Sequence, residues 1–452
     1  MTRKTRLVSL LVLGAGATAC GIESHGSSDP GEEVVQNELS SNDDMLGWKI
    51  NPSGFAKSST PSGTVDTSNP FFQELGTNGR ACVTCHQAAE GWTLTPWGVR
   101  MRFEMTGGLD PLFLPHDVAN APNLDVSTVE ARRQAYSLML ERAVVRVGLP
   151  VKDTFEFELV AADDPYGWAS ATQLSLFRRP LPTTNLRFIG AVNWDGRSTP
   201  AADPTNIRLG LKNQSNGATV NHAKAPMPIA DEVREAIVDF ETSLTTAQAF
   251  DWYAGFLHVS GAEGGPQPLL TQPFSLGMNL PGSPDFTRNV FTLYAGWDSG
   301  WSSMRRARRE IAAGQEIFNN RRFEVAPGVL GSCSGCHNTP NVGGASSLRL
   351  FDVGVSAPQR RAANMPLYTF RHKVTGETRQ STDPGRALIT GLWADMDRFK
   401  VPGLRALAAR APYFHDGSAR TLREVVEHYD RRFGMNLSWS EKRKLVRFLE
   451  AL

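Results

Sequence analysis

The sequence predicts a mainly α chain built from two tandem modules of one kind, the first enlarged by loops and short strands. Three observations carry this. The pattern C-x-x-C-H occurs once in each half, as "ACVTCHQ" (Cys82, Cys85, His86) and as "SCSGCHN" (Cys333, Cys336, His337). A comparable lead-in stands before each: "NPFFQELGTNGR" before the first, and the basic amphipathic run "WSSMRRARREIAAGQEIFNN" before the second. The chain closes on a third helical pattern, "LSWSEKRKLVRFLEAL". There Ser438 and Glu441 form a capping box, and Leu445, Val446, Phe448, Leu449 and Leu452 make one apolar stripe.

At 452 residues the chain is long enough for two or three domains. Its 47 basic and 46 acidic side chains leave a net charge of +1, and no sustained basic tract follows the N-terminus, so no nucleic-acid partner is expected. Forty-one glycines and 28 prolines imply many turns and long ordered loops.

The N-terminus reads as a targeting segment. Arg3, Lys4 and Arg6 precede the apolar run "LVSLLVLGAGATA", which ends at Cys20. A cysteine after "ATA" resembles the lipobox of bacterial lipoproteins, in which Cys20 would carry the lipid; Ala17 stands where leucine is more usual. An ordinary signal peptide with an incidental cysteine is the other reading. The run is too short to span a membrane comfortably. The divisions expected are a leader over 1–19, a polar flexible tether over 20–45, a first module over 46–300 and a second over 301–452.

Beyond Cys20 every cysteine belongs to a C-x-x-C-H motif. That is the attachment pattern of c-type haem. Cysteines three apart on one helical turn can each form a thioether to a haem vinyl, and the histidine next in sequence lies under the ring and offers a nitrogen to iron. A four-cysteine zinc site would use the same pairs but needs no histidine after each. A disulfide redox pair would call for a βαβ context that neither motif has. Two covalent c-type haems, with His86 and His337 as proximal ligands, are therefore expected. Between the motifs, "STVEARRQAYSLMLERAVVRVGL" reads as a helix, "DTFEFELVAADD" as a short strand, and "PMPIADEVREAIVDFETSLTTAQAFDW" as another helix.

The chain resembles the bacterial di-haem cytochrome c peroxidase superfamily, including its tryptophan-modifying members. The larger rubber-cleaving oxygenases share similar blocks. The resemblance rests on the two C-x-x-C-H motifs, on "NWDGRSTP", and on "FKVPGLRALAARAPYFHDGSARTLREVVEHYD", residues 399–430. It implies two cytochrome c-like domains with unequal haems, the second handling electrons and the first meeting peroxide. Trp194 would relay charge between them; a buried core tryptophan is the plain alternative. Gln214 matches the family's distal glutamine. Lys224 stands where the distal glutamate would be, and His222 lies two residues before it. A neutral His222 could move a proton, could ligate iron, or could be an ordinary histidine. His415 would hydrogen-bond near the second haem rather than bind iron. Gly403 replaces the threonine through which the family binds an interdomain calcium, which argues against calcium here.

Thr421 and Glu424 start a helix whose apolar face runs through Leu422, Val425, Val426 and Tyr429. Tyr429 falls where peroxidase relatives place a methionine ligand of the second haem and where the tryptophan-modifying relative has a tyrosine. A phenolate stabilises ferric iron and lowers the potential, whereas methionine raises it. Met435, His428 or no ligand at all are the alternatives.

The expected function is that of an exported, periplasmic or cell-surface, lipid-anchored di-haem c-type oxidoreductase. It would reduce hydrogen peroxide or use it to oxidise a partner, drawing electrons from a small redox protein. An oxygenase using dioxygen on an organic substrate, or a non-catalytic electron carrier, are the rival readings.

Overall fold

The computed structural model describes residues 45–297 and 303–452. The leader, Cys20 and all of the tether but Met45 lie outside the described residues. Helices provide most of the framework, but strands are more extensive than expected and occur in both halves. Gly54–Ser59 and Thr245–Asp251 form the centre of a four-stranded antiparallel sheet, with Lys49–Asn51 and Gly255–Phe256 at its edges. Phe157–Asp163 pairs antiparallel with Leu367–His372, so a strand of the first half is completed by the second. Val145–Leu149 pairs with Leu174–Arg178. Tyr368 ties these sheets together: its hydroxyl donates to the Ser175 carbonyl at 2.9 Å and accepts from the Ser175 amide at 2.8 Å.

Two expected helices are shorter because β-branched residues win their C-terminal ends. The run at 127–149 yields helices Val129–Ala135 and Ser137–Arg142. It then turns through Ala143 (φ 51°) and enters the strand that begins at Val145. Val144, Val145 and Val147 suit a pleated surface better than a helix. The run at 226–252 likewise forms helix Asp231–Ser243 and then strand Thr245–Asp251, with Thr245, Thr246 and Gln248 buried.

The helices of the second half match their sequence patterns. Thr421 caps Leu422–Phe433 by accepting from the Glu424 amide, and Gly434 ends it at φ 55°. Ser438 and Glu441 form the reciprocal capping box of Trp439–Glu450. That last helix lies against Ser303–Asn320, and Gly314 is what permits it. A Cβ there would come 2.0 Å from the Lys444 carbonyl oxygen and 2.7 Å from Phe448 Cβ. Around this crossing Ile311, Phe318, Leu445, Phe448 and Leu449 form one core with Leu257, Phe291, Tyr294 and Trp297. Residues before position 300 thus pack with the second motif's helices. Truncating a fully buried member such as Phe448 to alanine is worth about 3–5 kcal/mol.

Candidate functional site

Each C-x-x-C-H motif lines its own cavity. Cys82, Cys85 and His86 open onto the first; Cys333, Cys336 and His337 open onto the second. Both histidines are held from behind. His86 Nδ1 lies 3.1 Å from the Trp92 carbonyl, and His337 Nδ1 lies 2.5 Å from the Gly343 carbonyl. Trp92 adopts a left-handed φ of 61° to present that carbonyl, and its indole is pinned by donating to Ser58 Oγ at 2.9 Å. With Nδ1 engaged, Nε2 is the nitrogen left for the cavity. Burial holds both imidazoles at about 4, so they are neutral.

Burial likewise pushes the Cys82 and Cys333 thiols up to about 12 and Cys336 to about 11, and raises Cys85; all four are free of disulfides. These are uncharged thiols rather than thiolate ligands. Because the pairs occupy different cavities, they do not converge on one four-cysteine zinc site. Two thiols and one free imidazole nitrogen around each cavity fit a covalently attached c-type haem.

The first cavity brings Gln214 and His222 together on one helical run. Ile207–Asn221 starts at the Asn206 cap and stops at His222, where Lys224 takes a left-handed φ of 61° and Pro226 follows. Lys224 itself is exposed and is not part of the cavity lining. His222 is fixed by a residue no local pattern indicated: its Nδ1 lies 2.8 Å from Asp117 Oδ2. Arg80 donates to the same oxygen at 2.7 Å and to the His222 carbonyl at 3.1 Å. Burial alone would raise the Asp117 carboxyl, but hydrogen bonds from His116 and His222 and the Arg80 charge outweigh it and hold it far below the usual range. Asp117 is thus an anion, and His222 turns Nδ1–H toward it, leaving Nε2 without a hydrogen-bond partner among the described residues.

Glu241 is a second cavity residue missed from sequence. It is 3% exposed, its Oε2 has no hydrogen-bond partner among the described residues, and burial holds it at about 8. Its position one turn after Ile237 on an otherwise apolar face was the available clue.

In the second cavity Tyr429 faces inward with Cys333 and Cys336, stacked on Phe433 at 6.1 Å and 5°. Burial first, then the nearby thiols, raise its phenol above the ordinary value. Met435 also lines this cavity, without any shift of the helix. His428 does not: Nε2 lies 2.9 Å from the Val353 carbonyl and Nδ1 3.1 Å from Arg360. His415 is 1% exposed, with its ring stacked on Phe399 at 4.1 Å and set edge-to-face to Trp194 at 6.4 Å.

The two cavities share one wall. Trp194, Arg179, Lys400 and Arg410 line both, with Pro180–Pro182 and Pro402. The Trp194 indole donates to the Arg179 carbonyl at 2.8 Å, and its own carbonyl accepts from the Lys400 amide at 2.8 Å. Next to it, Asp195 is fully buried between Arg178 and Arg197, and Arg178 also donates to Asp383 at 2.7 and 2.9 Å. Gly196 (φ 74°) makes the turn, because a Cβ there would sit 2.9 Å from the Arg386 guanidinium. The "WDGR" block is therefore a fixed brace that holds Trp194 between the cavities.

Two motif-bearing cavities divided by a tryptophan are fitted for haem. Sequence comparison places the chain more closely. It is 34% identical to the cytochrome-c peroxidase IdrP2 of Denitromonas iodatirespirans over 150 residues, which are 31% of this chain and 38% of that protein. It is 36% identical to the cytochrome c551 peroxidase of Nitrosomonas europaea over 121 residues, 26% of this chain and 30% of that protein. The matches therefore span well under half the length of these two relatives. Over these stretches the chain is similar to cytochrome-c peroxidases. No family model matches it. Among solved structures, a MauG-like protein associated with microbial copper homeostasis aligns over 63% of this chain and 77% of its own, at 15% identity and a TM-score of 0.33. Hydrazine synthase of Kuenenia stuttgartiensis aligns over 79% and 93%, at 16% identity and a TM-score of 0.31. Among the described residues no helix is long and apolar enough to cross a membrane.

Proposed function

We propose that this chain is a di-haem c-type oxidoreductase that reduces hydrogen peroxide or uses it to oxidise a partner. One observation carries the reading: Trp194 lines both cavities, each of which presents two thiols and one imidazole nitrogen. Bound haem supplies the redox chemistry of iron. The protein's part is position and proton management. Cleaving the O–O bond of peroxide requires a proton to pass from one oxygen to the other. His222 Nε2 is the group for this task, held by Asp117. Gln214 lines the same cavity and orients the substrate by its side-chain amide. With haem bound, Trp194 would pass charge between the His86 and His337 sites, Tyr429 would be the residue to hold the second iron, and His415 would support that haem through hydrogen bonding. A small redox protein supplies electrons, and the exported chain works on the periplasmic or outer face, anchored through lipid on Cys20.

A second reading is favoured by the exposed Lys224, which leaves the family's distal-acid position outside the cavity. It is an oxygenase that uses dioxygen on an organic substrate. Stopped-flow spectra of the reduced protein mixed with hydrogen peroxide and with dioxygen decide between them. Rapid oxidation of both haems by peroxide, and only slow oxidation by dioxygen, supports the peroxidase; the reverse preference overturns it.

A further inference from the structure

The four-stranded sheet of Lys49–Asn51, Gly54–Ser59, Thr245–Asp251 and Gly255–Phe256 has two unlike faces. Asn51, Ala56, Ser58 and Gln248 are buried on the inner one. On the outer face a single cross-strand row crosses all four strands: Ile50 pairs with Phe55, Phe55 with Phe250, and Phe250 with Phe256. Trp48 lies 6.1 Å from Phe55 and 6.0 Å from Phe256; Trp252 lies 5.0 Å from Phe55 and 6.0 Å from Phe250. None of these six side chains is fully buried. Ile50 is 70% exposed, Trp252 47%, and Tyr253 in the adjoining turn 69%. A contiguous apolar face of this kind marks a surface that meets something.

Two observations say what meets it. The rim is cationic: Lys57 Nζ lies 5.1 Å from the Trp48 ring, and Arg308 donates to the Ala254 carbonyl at 2.9 Å. Arg305 and Arg306 stand exposed on the same helix end as Arg308, beside exposed Met304. Trp and Tyr rings bordered by Lys and Arg suit the headgroup layer of a membrane, where the rings sit at the interface and the cations meet anionic phosphates. The described chain also begins at Met45, so the segment that carries Cys20 enters the fold through the edge strand of this sheet. We propose that the outer face of this sheet rests on a bilayer containing anionic phospholipid, with Ile50, Trp252 and Tyr253 entering the headgroup layer. A lipid on Cys20 limits only the distance of the chain from the membrane; this face sets its orientation. The inference goes beyond that anchor, and the experiment removes Cys20 so that the two stand or fall separately.

The test is co-sedimentation of the haem-loaded full chain carrying Cys20→Ser with vesicles of phosphatidylethanolamine and phosphatidylglycerol. This chain should bind them, and should bind pure phosphatidylcholine vesicles more weakly. In the same background Ile50→Glu with Tyr253→Glu should lower the partition coefficient by about tenfold or more, with haem content unchanged, because two apolar anchors are lost. Without vesicles both chains should sediment alike. No binding by the Cys20→Ser chain overturns the proposal. Equal partitioning of the two chains also overturns it, because the binding would then lie elsewhere in the chain. A dimer that the double substitution converts to monomer overturns it too, since the face would then belong to a second copy. If the double variant does not assemble, Tyr253→Ser is read by the same criteria.

Discussion

His222 Nδ1 and Asp117 Oδ2 lie 2.8 Å apart although 105 residues separate them in sequence. Asp117 fixes which imidazole nitrogen is offered to the first cavity. Replacing His222 with phenylalanine should slow the reaction with hydrogen peroxide roughly 10²–10⁴-fold by stopped-flow, with both haems retained. Asp117→Asn should slow it less. That variant also leaves buried Arg80 without its anion and should lower stability by about 3–5 kcal/mol in denaturant titration. A His222→Phe protein as fast as wild type removes this histidine from the chemistry.

Trp194 stands in the wall both cavities share. Trp194→Phe keeps an aromatic ring there but loses the bond to the Arg179 carbonyl. Oxidation of the reduced second haem by peroxide should slow, while the first encounter with peroxide keeps its rate. Equal slowing of both phases would show a general packing defect instead.

Tyr429→Phe removes the one hydroxyl its ring turns toward the second cavity. The ferric low-spin EPR signal of that haem should change, and its potential should rise, because a phenolate lowers it. Unaltered spectra would leave Met435, already in the cavity lining, as the residue to replace next.

Glu241 gives a pH signature. Its folded value of about 8 lies above the ordinary carboxylate value of 4.5, so the native chain keeps a proton that the unfolded chain releases. Stability from this group is complete below about 4.5 and is lost as pH rises through 8, by up to about 1.4 kcal/mol per pH unit. Melting temperatures of Glu241→Gln measured from pH 5 to 8 should fall less steeply than those of the wild type. Parallel curves would mean that Glu241 is paired in the loaded protein.

The sequence made the motif residues and the second-half helices readable, because capping boxes, apolar stripes and C-x-x-C-H are local patterns. Thr421, Ser438 and the Tyr429 face all behave as their spacing implied. The strand content was harder to see. The "LYTFRH" strand pairs locally with Thr378–Ser381 but takes its other partner from residues 157–163, and no local pattern encodes a pairing of that span. Asp117, Lys400 and Arg410 were invisible for the same reason: each is an ordinary charged residue until the fold buries it beside a cavity. His428 shows the opposite limit. It adjoins Tyr429 in sequence, but the helical turn directs it to Arg360 and the Val353 carbonyl.

Haem stoichiometry decides whether each C-x-x-C-H motif carries its own haem. The chain should be produced in a host that attaches c-type haem and measured by pyridine haemochrome assay together with intact mass. Two covalent haems per chain are expected, falling to one when Cys82 and Cys85 are both changed to alanine and to one when Cys333 and Cys336 are. A wild-type chain carrying one haem or none, or a haem that survives loss of its own cysteine pair, would contradict the account.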